Sequence, residues 1–347
     1  MSDILLRKVG RTGRITLQRP DALNAVTHEM IREIAAVLPL WAEDDDVAML
    51  VIDGVGERAF SAGGDLASMY RFMSEGAFDK ARLFWREEYA MNAALFRFPK
   101  PVASFMQGFT MGGGVGVGCH GSHRVVGDTS RIAMPECAIG LVPDVGGTLL
   151  LARAPGRLGE YLGESGNRMG PADSIFCGFA DYYIPESAWA NTIEKLEKTG
   201  DWEVIDRAAQ HPPNAPLENE RALVDRHFAG ETMRDIVTAL RHEGADWTED
   251  LLERLGRNSP LSMAATIELV HRARASDRIE DVLRNEYRFS HRVAEHGEFR
   301  EGIRAMIVDK DKSPKWAHAE ITAPSPAEVA AMLMPLGPDE LKLEETP

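Results

Sequence analysis

SFMQGFTMGGGVGVGCHGSHRVVGDTSRIAMPECAIGLVPDVGGT, residues 104–148, is the stretch whose reading decides the fold. It opens as an apolar run, breaks into the glycines Gly112, Gly113 and Gly114, and continues through Met134-Pro135-Glu136 to Pro143-Asp144-Val145-Gly146-Gly147. Glycine at this density lets backbone N–H groups approach a ligand closely. Glu136 and Asp144 add two carboxylates in the same unit. Donors able to hold an oxyanion, together with acids able to move protons, outline an acyl-transfer site.

A second glycine loop lies upstream. SAGGD (61–65), like MGGGVG (111–116), follows a strand-like run and leads into helical sequence. The first amides of a helix have no intrahelical partner. Two such amides aimed at one carbonyl oxygen would form an oxyanion hole, although either loop alone is equally a tight turn. Glu136 sits between Pro135 and Cys137 in apolar surroundings. That setting predicts a partly desolvated carboxylate, raised toward the general-base range. Asp144 precedes a helix expected near Val145 and reads equally as its N-cap or as an acid.

Outward from this stretch the pattern is strand and helix in alternation. ILLRKV (4–9) and RITLQR (14–19) read as a hairpin. A helix over 28–43 begins after Thr27, with Met30, Ile31, Ile34, Val37 and Leu38 at helical spacing. VAMLVIDG (47–54) is a continuous apolar run, as expected of a strand buried on both faces. Another helix covers 77–97 and stops at Pro99 and Pro101. PVASFMQG is the next strand, Arg131–Ala133 is extended, and short helices follow at 149–152, 158–162 and 172–176. Beyond about residue 186 strand patterns vanish, and helices separated by HPPNAP, Gly230, Gly244 and NSP take over. The predicted class is α/β, with a strand–helix core over 1–195 and a helical region over 196–347.

The bulk numbers exclude several classes of function. With 44% hydrophobic residues, the 347-residue chain has material for a large core. Its net charge of −15 has the wrong sign for a duplex-binding surface, so nucleic acid is not an expected partner. No apolar run reaches the roughly 18–20 residues of a membrane span, and the N-terminus shows no signal core. Three cysteines, Cys119, Cys137 and Cys177, make no disulfide framework and show no metal-ligand spacing. The expectation is a cytoplasmic protein without a metal.

Rival motifs fail on context. Gly116-Val-Gly118-Cys-His-Gly121 matches the dinucleotide fingerprint, but more glycines precede it and no βαβ unit surrounds it. Close packing of a buried helix explains these glycines better. There is no GxSxG elbow. A thiol nucleophile at Cys119 or Cys137 is chemically possible, while buried, inert cysteine is the commoner case.

Taken together, RITLQRPDALNAVTHEM, AFSAGGDL, KPVASFMQGFTMGGGVGVG and AMPECAIGLVPDVGG, in this order and spacing, resemble the enoyl-CoA hydratase/isomerase (crotonase) superfamily. FWREEYAMN (84–92), NSPLSM (258–263) and EFREGIRAMIVDKDKSPKW (298–316) are similar to its 3-hydroxyisobutyryl-CoA hydrolase branch, so the resemblance spans almost the whole chain. It implies a spiral of ββα units with a helical C-terminal region. It also implies an oxyanion hole built from the Gly64 and Gly113 amides, with Ala25, Ala62, Gly63, Asp65 and Gly112 around the acyl-CoA. Where hydratases carry a glutamate this chain has Gly116, and where they carry glycine it has Asp144. Glu136 is retained as the second acid. That exchange of carboxylates implies hydrolysis of a short-chain 3-hydroxyacyl-CoA thioester, as in valine catabolism. The alternatives are an enoyl-CoA hydratase or isomerase, and a non-catalytic acyl-CoA-binding protein. No cofactor is implied beyond the coenzyme A of the substrate. A homotrimer or hexamer is the family's common assembly. Arg19, Arg58, Lys310 and Lys312 are candidates for the CoA phosphates by position alone.

Overall fold

The structure, a computed structural model, describes residues 2–343. Its chain resolves into two compact units that interleave in sequence. One comprises Met1–Gly64, Glu87–Ala133 and Arg168–Glu218, and the other Asp65–Arg86, Met134–Asn167 and Asn219–Pro347.

The first unit holds the nine strands of the described residues. β1 (Ile4–Val9) and β2 (Thr12–Leu17) form the expected antiparallel hairpin. The helix His28–Glu43 then carries the chain to β3 (Met49–Gly54), which runs parallel to β2. Thr27 caps that helix by accepting from the Met30 amide at 3.2 Å. Met30, Ile31, Ile34 and Leu38 are buried as the spacing predicts. Trp41 completes the inward face, while Val37 is half-buried.

From β3 onward the chain alternates between two parallel sheets. β3, β5 (Val102–Met106), β7 (His123–Val126) and β9 (Tyr182–Tyr183) extend the hairpin into six strands, ordered β1-β2-β3-β5-β7-β9. β4 (Ala59–Ser61), β6 (Phe109–Met111) and β8 (Arg131–Ala133) form a separate three-stranded sheet. Each repeat gives one strand to each sheet, which is the spiral that the resemblance implies. β4, β6 and β9 have two or three residues each, too few for a periodic signal.

Both faces of the larger sheet are covered. Met49 and Val51 of β3, Ala103 and Phe105 of β5 and Val125 of β7 form one cluster with Ile184, Leu196, Val204 and Ile205. Leu50 and Ile52, on the opposite face of β3, are equally buried. The unbroken apolar run at 47–54 is the sequence record of that two-sided burial. Each of the larger apolar side chains contributes roughly 1.5–3 kcal/mol through removal from water. The Trp189 ring packs edge-on against Phe105 at 5.4 Å between centroids, and its Nε1 donates to the Ile184 carbonyl.

The second unit is helical. Its central helix, Pro260–Arg274, is buried on nearly every side, as expected of an element without a clear polar face. The NSP motif, expected as a helix separator, starts this helix. Ser259 is the N-cap, accepting from the Ser262 amide at 3.1 Å, and Pro260 occupies the first turn. Helices Gly147–Arg153 and Leu158–Ser165 pack against it. No helix of the described residues is long and apolar enough to cross a membrane.

Candidate active site

The first unit brings the two glycine loops together. After β4 the chain passes through Ala62, Gly63 and Gly64, with the Ala62 amide bonded to the Leu23 carbonyl at 2.9 Å. The Gly63 carbonyl accepts from the Val26 amide at 2.8 Å. Half-buried Ala25 lies in the loop so held. Fully buried Asn24 organises that loop in a left-handed conformation (φ 54) that asparagine tolerates. Its side-chain amide donates to the Val55 and Ala59 carbonyls.

Beyond β6, Gly112 (φ 48, ψ −122) turns the chain into the helix Gly113–Gly118. This approach requires a bare Cα. A Cβ on Gly113 would stand 3.1 Å from the Gly64 nitrogen, and one on Gly63 would stand 3.2 Å from the Met111 carbonyl oxygen. Among the described residues, neither the Gly64 nor the Gly113 amide donates to a protein acceptor. Two adjacent amides left without protein partners can serve an external oxygen.

A third acid, which sequence reasoning missed, stands beside them. Glu88, on the helix Phe78–Phe96, is 3% exposed, and its Oε1 lies 2.8 Å from where a Gly113 Cβ would be. A signal was present. Glu88 falls at helical spacing with Ala81, Phe84, Trp85 and Asn92, so an acid sits on the buried face, where charged side chains are rare.

The second unit holds the two predicted carboxylates and Asp65. Glu136 opens the 3-10 turn Glu136–Ile139 and is 4% exposed, so the expected desolvation is present. Three helices fix this turn. The Ser259 amide donates to the Cys137 carbonyl at 2.9 Å. A Cβ on Gly140 (φ 75) would stand 2.5 Å from the Glu298 carbonyl oxygen, and one on Gly302 would stand 2.1 Å from that of Ile139. Gly166, after the helix Leu158–Ser165, packs on Pro135, where a Cβ would stand 3.1 Å from the Pro135 Cα. The segments NSPLSM and EFREGI are therefore the backing of the Glu136 turn.

Asp144 is also 4% exposed. The helix after it begins at Gly147 with Gly146 as N-cap, and the carboxylate that accepts the Gly146 and Thr148 amides is that of Glu286. The cap role considered for Asp144 is thus filled from elsewhere. The Asp144 carbonyl accepts from the Gly147 amide at 2.7 Å. Glu286 is raised to about 8: burial pushes it up, its hydrogen bonds to Thr148 and Gly146 hold the rise back, and the Asp144 charge adds to it. Asp65 begins the helix Leu66–Ser74 and accepts from the Ser68 hydroxyl at 3.2 Å.

Thiol chemistry finds no support. All three cysteines are buried, and desolvation holds Cys119 and Cys177 at about 12 and Cys137 well above the ordinary thiol value. Gly118 behaves as a packing glycine, since a Cβ there would meet Met106 and Phe60 at 2.8 Å. Among the described residues there is no group of three or more His, Cys, Asp or Glu side chains placed to hold a metal ion. Arg19 pairs with Asp3 at 3.2 Å and donates to the Ala25 carbonyl.

These features define a crotonase-type protein, and a family model for enoyl-CoA hydratase/isomerase matches residues 12–333. The chain belongs to that family. It is similar to the mitochondrial 3-hydroxyisobutyryl-CoA hydrolase of Gallus gallus, with 35% identity covering 99% of this chain and 91% of that protein. The human protein of the same name is 34% identical over 98% of this chain and 90% of its own length. Among solved structures, an enoyl-CoA hydratase from Rhodobacter sphaeroides 2.4.1 is 50% identical with a TM-score of 0.95, covering 99% of this chain and 100% of that one. A carnitinyl-CoA dehydratase from Mycobacterium thermoresistibile is 40% identical with a TM-score of 0.94, both chains being covered in full.

Proposed function

We propose that this chain hydrolyses a short-chain 3-hydroxyacyl-CoA thioester, 3-hydroxyisobutyryl-CoA, to the free hydroxy acid and coenzyme A, as a step of valine breakdown in the cytoplasm. The observation that carries the reading is the full-length likeness to curated hydrolases of that name. The residues agree with it. Gly64 and Gly113 offer the thioester oxygen two amides. Glu136 activates water or attacks the carbonyl carbon directly, and Asp144 orients the water and helps proton transfer. Glu88 gives a hydroxyl on the acyl chain a buried acceptor beside the amides. Positioned acid–base groups of this kind contribute about 10²–10⁴-fold.

The names of the solved relatives favour a second reading, addition or removal of water at a double bond. Gly116 opposes it, because one of the two acids that the resemblance gives a hydratase is replaced there by glycine, and only the other, Glu136, is kept. A substrate comparison decides. Release of free thiol from 3-hydroxyisobutyryl-CoA, without loss of enoyl absorbance from crotonyl-CoA, is the expected result. The reverse pattern establishes the hydratase, and neither signal establishes a binding protein. Within the hydrolase reading, Glu136→Gln should lower thiol release about 10²–10⁴-fold. Near-normal activity of that variant removes Glu136 from the mechanism. In heavy-oxygen water, label found in Glu136 after a single turnover identifies covalent attack.

A further inference from the structure

We propose that Glu286 is a positioning residue for Asp144: its buried carboxylate clasps the Gly146 and Thr148 amides and the Thr148 hydroxyl, and thereby fixes the turn that carries the Asp144 side chain. The proposal rests on the reading of Asp144 as part of the hydrolytic machinery. Glu286 lies on the helix Ile279–His296, within the helical region and far in sequence from the glycine-rich stretch. None of its surface reaches solvent.

A carboxyl group is costly to bury, and it persists where directed hydrogen bonds compensate. Those bonds converge on one short segment. Gly146 N donates to Oε2 at 2.8 Å and Thr148 N to Oε1 at 3.0 Å. The Thr148 hydroxyl also donates to Oε1 at short range.

That segment requires holding. Val145 has φ 54 and Gly146 has φ 80, so two consecutive residues are left-handed. Glycine accepts that region freely, whereas a β-branched residue is strained there. Such a conformation survives only where its surroundings over-determine it. The Gly147 amide, between the two clasped amides, bonds back to the Asp144 carbonyl at 2.7 Å. Together the four bonds leave the backbone of 144–148 little freedom. Small displacements of a reacting group are expensive in rate, so loosening the clasp should be felt at Asp144.

The test compares Glu286→Gln, Thr148→Val and Thr148→Ser with the wild type. In Glu286→Gln an amide nitrogen replaces one carboxylate oxygen, so a donor faces a donor. Thr148→Val removes the hydroxyl bond alone, and Thr148→Ser restores it. Steady-state thiol release from 3-hydroxyisobutyryl-CoA is measured together with amide hydrogen exchange of the peptide spanning 143–149. Expected for Glu286→Gln are a kcat about 10–100-fold lower, a KM within about threefold of wild type, and exchange at least about tenfold faster in that peptide alone. Thr148→Val should fall between, and Thr148→Ser should return to wild type. If Glu286→Gln does not fold, the Thr148 pair decides. Faster exchange with unchanged kcat makes the clasp merely structural and overturns the proposal, as does unchanged exchange. A wild type that releases no thiol shows instead that the functional reading is wrong. Exchange, which needs no substrate, still judges the clasp in that case.

Discussion

Replacing Gly113 by alanine puts a methyl group at the point where the two glycine loops meet. Its Cβ would stand 2.8 Å from Glu88 Oε1 and 3.1 Å from the Gly64 nitrogen. The first contact is with the end of a flexible side chain and can relax. The second is with backbone fixed by the Val26–Gly63 bond and by the parallel bridge of Val26 with Gly64. A hydrogen-bonded oxygen would sit about 2.9 Å from that nitrogen, so the methyl group takes the space that an acceptor needs. Folding should survive, because alanine is favoured over glycine in a helix by up to about 1 kcal/mol and that gain offsets the shift of Glu88. Catalysis should not survive. Loss of one oxyanion donor costs about 2.7–4 kcal/mol at the transition state, or roughly 10²–10³ in kcat. The assay is thiol release from saturating 3-hydroxyisobutyryl-CoA, with the melting temperature measured in parallel. A kcat within about threefold of wild type, in a folded variant, refutes the assignment of the amide pair.

Three further outcomes are expected. Gly302→Ala drives a Cβ to 2.1 Å from the Ile139 carbonyl oxygen, and should destabilise the protein by about 1–3 kcal/mol through overpacking; an unchanged denaturant midpoint refutes the close approach behind the Glu136 turn. Glu286 is raised from the ordinary carboxyl value of 4.5 to about 8, so its contribution to stability is complete below pH 4.5 and is lost as the pH rises through 8. Denaturant midpoints taken from pH 5 to pH 8 should therefore fall more steeply for the wild type than for Glu286→Gln, and parallel profiles contradict the buried titration. Because the three thiols are buried and resist ionisation, iodoacetamide at pH 8 should alkylate the native protein slowly and leave its activity intact; rapid inactivation returns a thiol to the mechanism.

Much of this architecture is legible in the sequence, and the illegible part has a physical cause. The hairpin at the N-terminus, the helix after Thr27 and the buried strand at Met49–Gly54 each announce themselves through a local period. β4, β6 and β9 do not, since they span two or three residues and are strands only because a parallel partner lies alongside. NSP reads as punctuation in the chain, yet its serine caps the central helix and its amide holds the Cys137 carbonyl. That second role depends on a partner far away in sequence, where no period can point.

The candidate site divides along the same line. Glu136 and Asp144 stand out as acids in glycine-rich motifs, whereas Gly64 and Gly113 are singled out from their glycine loops by the family resemblance; all four can be named as candidates before any fold is known. Glu88 and Glu286 belong to helices whose surface pattern is ordinary, and each betrays itself only as an acid at a buried position. An acid at such a position carries a large desolvation penalty, so its retention requires compensating donors or a function. For Glu286 the donors are visible, and they are the backbone of the Asp144 turn. The exchange of a glutamate at position 116 for an aspartate at position 144 is therefore more than a change of two residues. An acid on a left-handed turn needs that turn held, and here the hold comes from the helix Ile279–His296 of the same compact unit.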